Sequence, residues 1–311
     1  MSERYDVAVV GAGPAGLSAA LNLVRARRRV LLLDANRPRN SATLLSHGYL
    51  TRDGISPLEL RRLGREEFLG YEGAEHRQAV VTSVAPASGG FSLTGDHRGE
   101  ATSAEADVVV VATGLKETLP AFPSLRAFYG TSVHSCIECD AWDKRDQPLA
   151  LLGEHPDLAD RALLLTQWTD DLVVFTNGSE AVTPAEEADL GRRGVRVERR
   201  RVTDLQGDRS GLTGVLLEDG EVVPRTGGFV RPTWAGALEW LSPLGPDLDA
   251  DGLLVADEHG RTSVAGLYAA GESTAPGPQQ LIVAAGQGAR IAAAVNRDLV
   301  GGLQRLGDAV Q

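Results

Sequence analysis

The chain has 311 residues, enough for two domains at roughly 100–200 residues each, and 42% of them are apolar, ample for buried cores. Its 31 basic and 42 acidic side chains leave a formal charge of −11, a field that repels nucleic acid and anionic membrane and excludes both as partners. No stretch approaches the ~20 apolar residues of a membrane span, and Met1-Ser2-Glu3-Arg4 runs straight into an apolar strand with no signal-peptide pattern, so a cytoplasmic protein is expected.

The first elements form a β-α-β unit. Residues 5–10 (Tyr-Asp-Val-Ala-Val-Val) are a short apolar run, which predicts a buried parallel strand. Gly11-Ala-Gly13-Pro14-Ala15-Gly16 follows, 17–26 reads as helix, and a second apolar run at 30–33 leads into Asp34 and Ala35. Residues 36–56 are rich in polar and turn residues, with Arg37-Pro38-Arg39-Asn40 and His47-Gly48, and 57–68 reads as an amphipathic helix. Weaker strands near 78–84 and 90–94 flank Ser88-Gly89-Gly90, and a third very apolar run, 107–111, closes on Ala112-Thr113-Gly114. A second α/β block starts near 115, with strand 149–152, helix about 158–167 and strand 172–175, and ends near Pro232. The first pattern then resumes with strand 266–270, a turn at Gly271-Glu272 and a long helix over about 280–299. One α/β unit is therefore expected inside another.

A lone G-x-G-x-x-G is a weak signal, but here it follows a strand, opens a helix and has an acid, Asp34, at the end of the next strand. Gly11 permits the tight turn, Gly13 lets backbone approach a pyrophosphate, and Gly16 lets helix and strand pack closely. The helix N-terminus offers free N–H groups to phosphate, and Asp34 would accept hydrogen bonds from an adenosine ribose. The competing reading is a glycine-rich turn without ligand. The chain's 36 glycines, above the roughly 7% of average usage, suit the nucleotide-binding one.

The matching turn of the second block reads Leu151-Leu152-Gly153-Glu154-His155-Pro156-Asp157-Leu158, with only the first glycine kept. Glu154 and Asp157 put negative charge where a pyrophosphate would lie, and Pro156 removes an N–H donor. After the next strand, where a 2′-phosphate needs arginines, stands Phe175-Thr176-Asn177-Gly178. Either this is a divergent but working nicotinamide site, or the block has kept its fold and lost its cofactor; the second reading is preferred.

Cys136 and Cys139 are the only cysteines, in His134-Ser-Cys136-Ile-Glu-Cys139-Asp140-Ala-Trp142. So close a pair cannot staple a domain, and in such an α/β protein it reads as redox-active or metal-binding. Thiol–disulfide exchange needs one sulfur to face the substrate and another to resolve the mixed disulfide. Zinc needs about four ligands and would have to recruit His134 and Asp140, so no metal is expected. His134 reads equally as a second base near the sulfurs or as a structural histidine.

Ala112-Thr113-Gly114 and the run from Thr262 to Gly271-Glu272 resemble the second and third FAD contacts of two-dinucleotide flavoproteins, with Glu272 where those proteins carry Asp. The helix start at Gln280-Leu281 resembles the one that points N–H groups at the flavin ring. Cys136-x-x-Cys139-Asp140, followed by Arg145-Asp146-Gln147-Pro148 and a strand, resembles low-molecular-weight thioredoxin reductase, over nearly the whole chain. The resemblance implies an α/β fold of two Rossmann-like domains: FAD-binding over 1–114 and 235–311, with an inserted nicotinamide-domain-like module over 115–234 that carries the cysteines. It also implies FAD as cofactor, with Ala35, Arg39, Asn40 and His47 near it, and a homodimer. Cys139 would contact the flavin, Cys136 would meet the substrate, and Asp140 would move the thiol proton. Ala141 departs from the glycine those reductases carry.

Asn40, His47-Gly48 and the Phe-Thr-Asn-Gly turn look closer to the holomycin- and gliotoxin-type dithiol oxidases. That likeness implies that a small dithiol reduces the cysteine pair, the pair reduces FAD, and oxygen reoxidises it to give hydrogen peroxide. The alternatives are a disulfide reductase fed by ferredoxin, flavodoxin or, less readily, NADPH, and a redox-silent flavin module. The acidic net charge argues against docking an acidic electron-transfer protein.

Overall fold

The computed structural model of the chain describes residues 3–274 and 277–301; the ends of the expected outer domain, 1–2 and 302–311, lie outside that range. Strand β1 (Arg4–Val10) and strand β2 (Val30–Asp34) pair in parallel, Val7 beside Val30 and Val10 beside Leu33. Helix α1 (Pro14–Arg25) joins them, with proline in its first turn, where a missing N–H costs nothing. Helix α2 (Pro57–Leu69) leads to β3 (Ala74–Gln78), parallel to β2. Strands β4 (Val80–Ala87), β5 (Gly90–His97) and β6 (Glu100–Val111) form an antiparallel meander. The twelve residues of β6 serve three pairings: its first part lies along β5, while its apolar end runs parallel to β1 on one edge and to a later strand on the other. Only that end is buried between layers, which is why 107–111 alone stands out as a continuous apolar run.

Strand β7 (Leu115–Thr118) leads out of this sheet, followed by the one-turn helix α3 (Leu125–Phe128), the short strand β8 (Val133–His134) and the one-turn helix α4 (Ile137–Asp140). Next come β9 (Leu149–Leu152), α5 (Leu158–Leu165), β10 (Leu172–Phe175), α6 (Pro184–Arg192) and β11 (Arg196–Glu198). An antiparallel meander, β12 (Val202–Asp208), β13 (Gly211–Leu217) and β14 (Val222–Pro224), precedes β15 (Gly227–Val230). The second parallel sheet has the order β11-β10-β9-β15-β8. Strand β16 (Thr233–Gly236) then pairs antiparallel with β7, so the outgoing and returning segments are zipped together. The boundaries expected at 114/115 and 234/235 fall at the start of β7 and within β16.

The chain re-enters the first sheet as β17 (Leu267–Ala269), parallel to β6, and continues into α7 (Leu281–Val300). Helices α1 and α7 lie in close contact: a Cβ on Gly288 would stand 2.0 Å from the Ala15 carbonyl oxygen. Each parallel sheet is buried on both faces. Val84, Leu93 and Trp240 cover one side of the first and Leu23, Phe68 and Ile291 the other. Phe175 and Phe229 lie on opposite sides of the second. No helix among the described residues is long and apolar enough to cross a membrane.

Candidate active site

A cavity of about 700 Å³ opens at the C-terminal ends of β1, β2, β6 and β17. It is lined by Gly11, Gly13, Pro14, Ala15, Asp34, Ala35, Arg39, Asn40, Ala112, Thr113, Gly114, Gly271, Glu272 and Leu281, drawn from all the segments expected around a dinucleotide. The three glycines of the first turn do different things. Gly11 has φ +109 and its missing Cβ would stand 2.3 Å from the Ala112 carbonyl oxygen. A Cβ on Gly16, which does not line the cavity, would stand 1.8 Å from the Gly11 carbonyl oxygen, so Gly16 serves packing. A Cβ on Gly13 would meet nothing within 4 Å: the backbone there faces open cavity at the N-terminus of α1.

Asp34 is buried, and its Oδ2 is 2.5 Å from Nη2 of Arg61, a residue that sequence reasoning missed. Its Oδ1 accepts the Ala12 N–H at 3.3 Å. Glu272 is held by Arg39, whose Nη2 lies 2.7 and 2.8 Å from its two carboxylate oxygens. Gln280 is the N-cap of α7 but does not line the cavity. Neither does His47, expected beside the flavin by resemblance. Its Nε2 instead lies 3.1 Å from Asp143, tying the 42–56 loop to the segment after Cys139. Glycine is required at Gly130, where a Cβ would stand 2.0 Å from the Ala42 carbonyl oxygen, so the loop that lines the cavity also backs onto the approach to the cysteines.

Cys136 and Cys139 form a disulfide at the start of α4, partly exposed and outside the cavity lining. Asp140, next in the chain, is buried. His134, also buried, places Nδ1 3.0 Å from Asp140 Oδ1. The contact lacks hydrogen-bond geometry, and Nδ1 has no hydrogen-bond partner. Nε2 of His134 lies 2.7 Å from the Thr131 carbonyl and must donate to it, because a carbonyl only accepts. The same carbonyl accepts from Lys144 Nζ at 2.8 Å, and burial lowers the pKa of Lys144 against the pull of Asp140 and Asp143. Two further residues that sequence reasoning missed hold Ser135. Arg161 donates to its carbonyl at 2.7 Å, and Tyr129, which donates to Glu117 at 2.7 Å, lies 2.9 Å from its hydroxyl. Arg161 comes from α5, while Tyr129 closes α3 six residues before Ser135; nothing local in the sequence marks either. Among the described residues no group of three or more His, Cys, Asp or Glu side chains is placed to hold a metal.

The turn after β9 is filled from within. Arg231 lies over Gly153, where a Cβ would stand 2.7 Å from the Arg231 Cβ. Its Nε sits 2.7 and 3.0 Å from the two carboxylate oxygens of Asp157, and its guanidinium stacks 4.2 Å from the Trp234 ring centroid. The Asp157 N–H donates to His155 Nδ1 at 3.2 Å, the Leu158 N–H to the His155 carbonyl at 3.1 Å, and Pro156 has no N–H. Glu154 is held by Asn177 Nδ2 at 2.6 Å. A nucleotide pyrophosphate does not fit these residues: two carboxylates stand in the turn, Arg231 is already paired with one of them, the Asp157 and Leu158 N–H groups already have acceptors, and Pro156 has no N–H to give.

Residues 5–288 match the family model described as pyridine nucleotide-disulphide oxidoreductase. The chain is 37% identical over 183 residues to the "Probable thioredoxin reductase" of Arthroderma benhamiae, a match covering 57% of this chain and 45% of that one. It is 28% identical to the thioredoxin reductase of Treponema pallidum, over 93% of this chain and 95% of that one. The crystal structure of HlmI superposes with a TM-score of 0.88 at 39% identity, covering 95% of this chain and 92% of that one. With the two parallel sheets, the dinucleotide cavity and the cysteine pair, these likenesses place the chain. It belongs to the pyridine nucleotide-disulphide oxidoreductase family, as a thioredoxin reductase-like, FAD-binding oxidoreductase.

Proposed function

We propose that the chain is an FAD-dependent dithiol oxidase that closes an intramolecular disulfide in a small, natural-product dithiol, with O2 as final acceptor and H2O2 formed. The observation that carries this direction is the Asp157–Arg231 pair in the second nucleotide turn. A nicotinamide cofactor has no seat there, so electrons enter from thiols. The likeness to HlmI is compatible with this reading.

The open backbone at Gly13, the N-terminus of α1, and Asp34, Thr113, Gly271 and Glu272 would hold FAD. FAD supplies an electron sink that takes a pair from two thiols and passes it to O2. The protein's own part is thiol–disulfide exchange. A substrate thiolate attacks the Cys136 sulfur, forming a mixed disulfide and releasing Cys139 as thiolate. The second substrate thiol displaces Cys136, giving the product disulfide and two reduced cysteines. Asp140, beside Cys139 and facing His134, holds a proton at its carboxylate for the sulfur that leaves. A cytoplasmic homodimer belongs to the same reading, and light scattering checks the dimer.

An anaerobic titration of the holoprotein tests the direction. A small dithiol is expected to bleach the flavin, NADPH to leave it yellow, and air to restore it with one H2O2 per dithiol. Bleaching by NADPH but not by dithiol would overturn the proposal.

A further inference from the structure

We propose that Arg61 is a positioning residue for the adenosine half of FAD, acting through Asp34 and the glycine turn. The family's motifs account for the glycines and the acid; nothing in them calls for an arginine on α2. Its guanidinium is buried and makes three directed contacts. Nη2 meets Asp34 Oδ2 at 2.5 Å, Nε donates to the Ala12 carbonyl at 3.1 Å, and Nη1 donates to Asn36 Oδ1 at 3.2 Å. Ala12 lies between Gly11 and Gly13, and Asn36 has left-handed backbone, φ +55, two residues beyond the acid. One rigid planar fork therefore ties the phosphate turn, the ribose acid and the loop after β2 to a single point.

The consequence lies at Asp34. A buried carboxylate without a partner would swing toward solvent. Paired with Arg61 it is held in place, with two of its roughly four acceptor sites engaged by Arg61 and the Ala12 N–H. The rest are left for ribose hydroxyls. Arg61 lines the cavity beside Asp34 but acts through it. The inference concerns FAD binding alone and holds whichever way electrons flow.

The test is equilibrium binding of FAD to apoprotein, read by flavin fluorescence, with ADP as a competitor for the adenosine half and FMN as a control for the flavin half. Arg61→Met should weaken FAD and ADP by the same factor, about 10- to 100-fold, the scale of lost hydrogen bonds to a charged group. FMN should bind as before. Arg61→Lys, which keeps the charge and loses the fork, should fall between. On an Asp34→Asn background, Arg61→Met should cost less than on the parent background, because the route through Asp34 is gone and only the contacts with the Ala12 carbonyl and Asn36 remain. Arg61→Met within threefold of the parent, equal loss of ADP and FMN, or losses that multiply in the double variant would each overturn the proposal. If Arg61→Met does not fold, Arg61→Lys decides: unchanged ADP affinity refutes it, and reduced ADP with unchanged FMN upholds it.

Discussion

Gly13→Ala separates what the glycine turn does for the fold from what it does for the cofactor. Gly13 has φ −75 and ψ 179, an ordinary backbone conformation for alanine, and the added Cβ meets nothing within 4 Å. Stiffening the unfolded chain should stabilise the protein by about 0.4–1 kcal/mol. Gly13 is also the N-cap of α1, where alanine is the poorer residue by a similar amount. The two terms offset, and the apoprotein should melt within about 2 °C of the parent. The methyl group, however, stands in the open cavity over the N-terminus of α1, where a pyrophosphate would accept main-chain hydrogen bonds. Losing that approach should cost about 1.5–3 kcal/mol of binding, or 10- to 100-fold in FAD Kd. Gly16→Ala is the contrast, because its Cβ would lie 1.8 Å from the Gly11 carbonyl oxygen, backbone against backbone. It should cost the apoprotein at least the roughly 1–3 kcal/mol typical of overpacking. Thermal melts of apoprotein and the 450/280 nm ratio of purified protein read the two effects separately. A Gly13→Ala variant with full FAD and parental Kd would refute the assignment of this turn to the pyrophosphate.

Further outcomes follow from the cysteine pair and from the titrating groups. Cys136→Ser and Cys139→Ser should each stop turnover while leaving FAD bound, since neither sulfur lines the cavity; turnover surviving in either removes the pair from the mechanism. Hydrogen bonds from Arg200 hold the Glu198 carboxyl below its ordinary 4.5. Its stabilising contribution is therefore present above pH 4.5 and lost as pH falls through the lowered value, so Glu198→Gln should flatten the acid limb of melting temperature against pH. Burial, then the hydrogen bond to Asp298, raises Tyr268 from 10.0 to about 12. That contribution is present below pH 10 and lost as pH rises toward 12, so Tyr268→Phe should flatten the alkaline limb; slopes equal to the parent's would contradict either assignment.

Four of the parallel strands were legible because they are buried on both faces: 5–10, 30–33, 149–152 and 172–175 each lie within or coincide with an observed strand, whereas the parallel strands β3, β8, β11 and β15, short, polar or opening on glycine, were not. The β12–β14 meander was not. Its register shifts between Val202 and Asp204 and between Gln206 and Gly207 break the two-residue alternation by which an exposed sheet is recognised. Helix α6 carries a full capping box, Thr183 with Glu186, but a weak apolar face, with only Leu190 buried, so nothing periodic announces it. At the candidate site, the glycines and Asp34 could be picked out because their demands are local: a positive φ, a close approach, an acid at a strand end.

What sequence order hides is which charge answers which. Arg61 reaches Asp34 across 27 residues, Arg231 reaches Asp157 across 74, and Arg39 reaches Glu272 across 233. An arginine's long stem and planar fork allow such pairings from many backbone positions, so no spacing rule predicts them. Yet they set what each nucleotide turn can do. The first turn keeps Gly13 bare, and its arginine, Arg61, braces the cradle from behind. In the second, Glu154 and Asp157 stand among the turn residues, and Arg231 has swung over Gly153 to answer Asp157. Removing that arginine alone would not restore a nucleotide site, because it would leave Asp157 unanswered and Pro156 still without a donor. The case against a nicotinamide seat thus rests on several residues at once, and that is why the proposed function has electrons enter from thiols.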